Sequence, residues 1–385
     1  MSEQPKNFGF GEDETMLRDS AQKFFADNCS PDKIHGQVAH DSNIHRDIEC
    51  IWDKNLWQQI VELGWTAVCV PEEAGGIGMP LVAAVAIAEE AGKSAFPSPL
   101  ISTYCATFVL NACGTDAAKA ALGDIAGGTA TTLAITNEKG SWESFDTDVT
   151  VEGGKLTGTA YFVQDAKKAD RFIVSAKGAK GVGLYQVEAS AENLNIIADG
   201  IIDLTRDQAH IEFSGTECVE VAAEGAGDAA IDAAMPSMLT IVSADIVGAG
   251  EWLLQTTTEY AKTRVQFDRP LGFFQAVKHP LVNVMLDIDR TKSLVYNAAC
   301  SIDCGEDSSS ADGSIELNAR MAKAQASEMA VFSSSRAVQF HGGIGFTWEC
   351  YVHIFFKRQM HNHVLYGDAK YHRAKLADMV IGKAA

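Results

Sequence analysis

Arg264-Val-Gln-Phe-Asp-Arg-Pro-Leu-Gly-Phe-Phe-Gln-Ala-Val-Lys278 is the stretch on which the reading of the chain turns. A long apolar run with helical spacing, opening at Pro236-Ser237, leads into it, and a second such run, Phe274 to Cys304, leads out of it. Pro270 and Gly272 separate the two, so the spacing predicts a tight connection between two long helices. An arginine that ends a helix offsets the carbonyl dipole, so Arg264 has a structural reading beside a binding one.

Working outward, Glu306 to Gly313 reads as a polar linker, and Glu316 to His341 as a third long helix that Gly342-Gly343 would stop. A last helix follows Asp368. Upstream the texture changes. Thr131–Thr136, Asp148–Val151, Lys155–Val163, Arg171–Ser175, Gly183–Val187 and Ala209–Phe213 are short runs rich in β-formers, separated by turns such as Glu152-Gly-Gly. No helical run intervenes, which predicts a compact antiparallel domain. Before it, Asp13 to Ala26, Ile48 to Leu63 and Pro80 to Gly92 have helical periodicity, with Val70-Pro-Glu-Glu-Ala-Gly-Gly-Ile-Gly78 as a loop. The expectation is an α+β chain of three domains: residues 1–125 helical, 126–226 antiparallel β, and 227–385 a four-helix bundle.

Composition narrows the function. Acidic residues number 51 against 31 basic, a formal net charge of −20. That argues against a nucleic-acid partner, which needs a basic footprint. The N-terminus has no basic region leading into an apolar one, and no uncharged apolar stretch of membrane-spanning length stands out. A cytoplasmic protein without membrane attachment is therefore expected. The nine cysteines have no metal-type spacing and read as reduced thiols. His361-Asn-His363 and His372 read as packing or solvated histidines, because i and i+2 residues on a helix diverge. Gly178-Ala-Lys-Gly-Val-Gly183 precedes a strand rather than a helix, so it is no nicotinamide fingerprint.

Gln339-Phe-His-Gly-Gly-Ile-Gly-Phe-Thr347 places three glycines in four positions, so that backbone N–H groups can approach an anionic ligand. The same glycines serve equally as a helix stop and turn. A hydrolase oxyanion loop would need a G-x-S-x-G elbow, which is absent. Taken in order, Val70 to Gly78, Arg264 to Gly272 with Phe274-Gln-Ala-Val, Gln339 to Gly345, and Leu365-Tyr-Gly-Asp-Ala-Lys-Tyr-His-Arg373 resemble four motifs of the acyl-CoA dehydrogenase family. The resemblance runs over nearly the whole chain.

It implies FAD as cofactor and an acyl-CoA thioester as substrate. A carboxylate would remove the α proton while the β hydrogen leaves as hydride, and electrons would pass to an electron-transfer flavoprotein. By the same resemblance, Arg264, Gln266 and Phe267, with Gln339, Gly342 and Gly343, would contact the adenosine diphosphate part of an FAD held mainly by a neighbouring subunit. Thr136, Phe162 and Gln164 would contact a flavin ring, as would Asp368 and Lys370. Asp368 also reads as a helix N-cap, and Phe162 as strand core.

One element of the resemblance is missing. The position where many members carry the catalytic glutamate is Tyr366, and the alternative position on the long helix is Met238. Asp245 is the nearest acidic residue, about 700° around that helix from Met238 and about 10 Å further along it. It is a candidate base, or else a carboxylate that pairs with a substrate group or a neighbouring side chain, which its depth in the presumed pocket favours. The pattern resembles the chain without the glutamate in heterotetrameric dehydrogenases of sterol side-chain degradation. A homologous partner subunit is thus implied, with a homo-oligomer or a flavin-free scaffold of the same fold as the alternatives.

Overall fold

The computed structural model describes residues 7–39, 52–305 and 315–382. The Glu306–Gly313 linker lies outside the described residues, as does the beginning of the Ile48–Leu63 run. Six helices come first: α1 (Glu12–Asn28), α2 (Pro31–Ala39), α3 (Lys54–Glu62), α4 (Leu81–Lys93), α5 (Leu100–Cys113) and α6 (Asp116–Ala126). Their boundaries follow local chemistry. Asp53 caps α3 by accepting from the backbone N–H groups of Asn55 and Leu56, and Thr115 caps α6 by accepting from Ala118. Gly114, at φ +64°, provides the left-handed residue that ends α5.

The middle of the chain forms β1 (Thr131–Ala134), β2 (Val149–Glu152), β3 (Lys155–Gln164), β4 (Arg171–Gly178), β5 (Gly181–Glu188), β6 (Leu194–Ala198), β7 (Gln208–Glu217) and β8 (Val219–Ala222). They pair in the order β6-β7-β3-β2-β4-β5-β8, with β1 beside β4. The sheet is mixed, not antiparallel: β1 and β2 both pair parallel with β4. A parallel pair needs a crossover, and here the crossover from β1 to β4 is the β2–β3 hairpin instead of a helix. Two strands were not foreseen: β6 lies at one edge of the sheet, and β8 has only four residues.

The rest is helical: α7 (Gly227–Thr263), the two-residue strands β9 (Val265–Gln266) and β10 (Arg269–Pro270), then α8 (Gln275–Asp303), α9 (Ile315–His341), α10 (Val352–Asn362) and α11 (Ala369–Ile381). Helix α7 begins nine residues before the expected start, with Pro236 inside it. Proline removes an intrahelical bond, but Ala230, Ile231, Ala234 and Met235 are buried on the preceding turns, and their packing carries the helix through. Among the described residues α7 alone is long and apolar enough to cross a membrane, and it is largely buried inside the protein, as a core helix is. It packs against α4, α5, α8, α9 and α10. At its crossing with α4, a Cβ on Gly92 would lie 2.1 Å from the Asp245 carbonyl oxygen, and one on Gly248 1.8 Å from that of Glu89. The two backbones therefore touch, and nothing larger than glycine fits.

Candidate functional site

The β9–β10 hairpin leaves the end of α7 exposed. Arg264, Gln266 and Phe267 all face solvent, and Phe267 is 85 % exposed at a turn with φ +54°. The glycine segment lies beside it. Tyr260, one turn before Arg264, stacks on His341 at 4.3 Å between ring centroids, and His341 immediately precedes Gly342. Gly342 and Gly343 are exposed, with nothing within 4 Å of where a Cβ would stand, so a ligand can reach their backbone. Gln339 is also exposed and lines a groove of about 780 Å³ together with Arg336, Asp368 and Lys370. The fold thus gathers Arg264, Gln266, Phe267, Gln339, Gly342 and Gly343 at one end of the bundle.

The expected ring-side residues are arranged differently. Phe162 is partly exposed on β3 at φ +54°, where the β3–β7 pairing shifts register. Thr136 is buried, and its carbonyl accepts from Tyr161 N. Gln164 is buried with its amide fully engaged: Nε2 donates to the Phe162 carbonyl and to Gln208 Oε1, and Oε1 lies 2.5 Å from His361 Nε2. Burial holds His361 down at about 4, so near neutral pH its ring is uncharged. Asp368 caps α11 through the Tyr371 N–H at 2.8 Å, and Lys370 is exposed. The polar atoms of Gln164 are therefore spent within the protein, while the hairpin and the glycines are open.

Tyr366 is buried at φ +54° between two neighbours. Its ring packs edge-on to Trp142 at 5.1 Å, and its hydroxyl pairs with Cys105. Burial raises its pKa well above the ordinary phenol value, so it stays protonated. Met238 is buried in α7.

Asp245 is fully buried with both oxygens occupied. Arg358 Nη2 donates to Oδ1 at 2.7 Å, Arg206 Nη2 to Oδ2 at 2.7 Å, and Asn362 Nδ2 to the same Oδ2. Burial alone would raise its pKa, but Arg358 and Arg206 outweigh that and hold it below the usual carboxylate range. A base needs the opposite shift, toward neutrality. The network continues outward. Arg206 lies 3.8 Å from Asp165, which accepts from Lys168 Nζ at 3.0 Å and from Ser102 Oγ at 2.6 Å. Ser102 belongs to α5, Asp165, Lys168 and Arg206 to the loops of the sheet domain, and Asp245 and Arg358 to α7 and α10, so the Ser102 hydrogen bond and the ion pairs together tie all three regions to one another. Sequence reasoning missed Arg206, Arg358, Asn362 and Asp165; no motif marks them, and they meet only in the folded chain. Among the described residues no group of three or more His, Cys, Asp or Glu is placed to hold a metal ion.

Comparison with known proteins matches residues 11–129 to the acyl-CoA dehydrogenase N-terminal domain and residues 227–381 to the acyl-CoA dehydrogenase C-terminal domain. The acyl-CoA dehydrogenase IpdE2 of Mycobacterium tuberculosis is 29% identical over 348 residues, 90% of this chain and 91% of that protein. Among solved structures, the steroid ACAD variant Tcur3481-Tcur3483 superposes with a TM-score of 0.83 at 25% identity, covering 97% of this chain and 98% of that one. A chain of the ChsE4-ChsE5 complex from Mycobacterium tuberculosis superposes with a TM-score of 0.83 at 23% identity, covering 98% of this chain and all of that one. With both of its helical regions matched and the fold shared end to end, the chain belongs to the acyl-CoA dehydrogenase family, oxidoreductases whose chemistry is FAD-dependent dehydrogenation.

Proposed function

We propose that this chain is one subunit of a heteromeric acyl-CoA dehydrogenase, completing the FAD site of a homologous partner that carries the catalytic carboxylate. The observation that carries this reading is the contrast within one molecule. The residues expected to reach a neighbour's FAD are exposed, while the position of the base is a buried tyrosine. Asp245, the carboxylate offered in its place, is locked between two arginines. Bound FAD supplies the hydride acceptor for α,β-dehydrogenation.

The residues of this chain fit the adenosine diphosphate half of that cofactor. Arg264 offers a guanidinium to phosphate oxygens, Gly342 and Gly343 offer open backbone, Gln339 a side-chain amide, and Phe267 an exposed ring for adenine. They fit a flavin ring less well, because the Gln164 amide is consumed by Phe162, Gln208 and His361. The acyl thioester would then be bound, and its α proton removed, in the partner. A steroid acyl thioester is the substrate class favoured by the likeness to a steroid ACAD, and the ChsE4-ChsE5 complex is the precedent for two-chain assembly. Electrons would leave to an electron-transfer flavoprotein, and the whole assembly would work in the cytoplasm.

The test is co-expression with a homologous chain that has the glutamate. A stable complex should retain FAD and oxidise an acyl-CoA, and Arg264→Ala in this chain should strip FAD from it. Turnover of an acyl-CoA by this chain purified alone would overturn the proposal.

A further inference from the structure

At the far end of α8 from the hairpin, Cys300 and Cys304 bring their sulfurs to 4.0 Å; both are reduced, Cys300 buried and Cys304 exposed. Cys304 is the residue that caps the end of the helix, its backbone still in the right-handed region at φ −75°, and Gly305 turns away at φ +62°. Between the two cysteines stands Asp303. Its Oδ1 accepts from Leu81 N at 2.6 Å and its Oδ2 from Val82 N at 3.1 Å, which satisfies the first two N–H groups of α4. The residue in the cap position of α4 is Pro80, which offers no side-chain bond. Asp303 therefore caps α4 from another helix.

A disulfide brings its two Cβ atoms to about 3.5–4.5 Å, whereas i and i+4 positions on an intact helix hold them about 5–6 Å apart. Closing the 300–304 pair thus requires the last turn of α8 to unwind, and Gly305 gives the backbone room to do so. Asp303 is in that turn and must move with it. We infer that Cys300 and Cys304 are a thiol–disulfide site whose oxidation withdraws the Asp303 cap from α4. The oxidant class is a small-molecule disulfide. The exposed Cys304 thiolate attacks one of its sulfurs, forming a mixed disulfide and releasing one small thiolate. Cys300 then loses its proton to solvent and attacks Cys304 Sγ, releasing the second. Two protein thiols lose two electrons, and one small disulfide becomes two thiols. The effect is felt by α4, whose Gly92 meets α7 and whose buried Glu89 pairs with Lys292 of α8.

The experiment treats the full chain with excess oxidised glutathione, maps disulfides by mass spectrometry, and follows amide hydrogen exchange at residues 81–86. The expected result is an intramolecular 300–304 disulfide and roughly tenfold faster exchange at the first amides of α4, the scale of one lost hydrogen bond, with dithiothreitol reversing both. Cys304→Ser should show neither change under the same oxidant. Full alkylation of both thiols after treatment would overturn the inference, as would arrest at a mixed disulfide on Cys304, or a 300–304 disulfide that leaves exchange at α4 unaltered.

Discussion

Asp245 is the residue where the sequence promised most and the fold decided otherwise. Its angular position on α7 could be read from helical periodicity, but its partners could not: Arg206 is 39 residues away and Arg358 is 113. Two guanidinium groups and an amide make it an anchor for buried charge. Replacing it with alanine should cost about 3–5 kcal/mol, because buried Arg358 then loses its carboxylate partner and buried Arg206 is left with the more distant Asp165; chemical denaturation measures this, and Asp245→Asn provides a milder version. The pH dependence has a definite sign. Asp245 and Asp165 both titrate in the folded chain below their ordinary value, Asp165 because Lys168 and Arg206 outweigh its burial. Their contribution is in place above the unfolded pKa, about 4, and is lost as pH falls through the lower folded values. Acid titration of stability should therefore drop below about pH 4, and less steeply in Asp245→Asn. Tyr366 makes the complementary case. Tyr366→Glu in the isolated chain should produce no acyl-CoA-dependent dye reduction, since Trp142 and Cys105 crowd that position and Gln164 remains engaged. Turnover in that variant would mean that the carboxylate was the only missing part.

Among the elements, α1, α3, α4, α8, α9 and α11 were legible because their apolar residues recur with the right period or, for α11, because Asp368 stands at its start as a cap, whereas α2, α5, α6 and α10 were not read. The start of α7 was not, because Pro236 is a local stop signal that burial of the preceding turn overrules. The parallel pairing of β1 and β2 with β4 was hidden too, since pairing direction depends on which distant strand lies alongside. The glycines at the α4–α7 crossing also pass unnoticed in a sequence, where they look like weak points in two helices. In the fold they set the distance between them. Gly248→Ala would drive a methyl group into the Glu89 carbonyl and should lower stability by about 3 kcal/mol, at the upper end for over-packing. Gly343→Ala, which meets open space, should change it by no more than about 0.5 kcal/mol. Thermal melts of the two variants side by side separate a spacing glycine from a surface one.

For the whole molecule, the notable feature is how much apolar surface one copy leaves uncovered. Val282, Met285 and Leu286 lie on one face of α8, about half exposed, with Phe267 and Phe273 near its start. Spacings of three and four residues make this a continuous stripe, and exposed apolar patches of that kind mark interaction surfaces. Analytical ultracentrifugation should find the chain associating with itself as concentration rises, and forming a tighter complex of fixed stoichiometry when a homologous dehydrogenase chain is added. Arg264→Ala should leave the melting temperature of the isolated chain unchanged, because the side chain is exposed. The family and the three-region layout were readable from motifs in register. The proposed role within an assembly rests on the exposed hairpin and the filled interior taken together.

The buried ion network that links Ser102, Asp165, Arg206, Asp245 and Arg358 bears on biogenesis. The three regions of this chain are fastened to one another by its own side chains. In the proposed assembly such a subunit would finish folding before any cofactor reaches it and wait as a preformed mould. The supply of flavin would then govern when the assembly is completed, without governing whether this half of it survives.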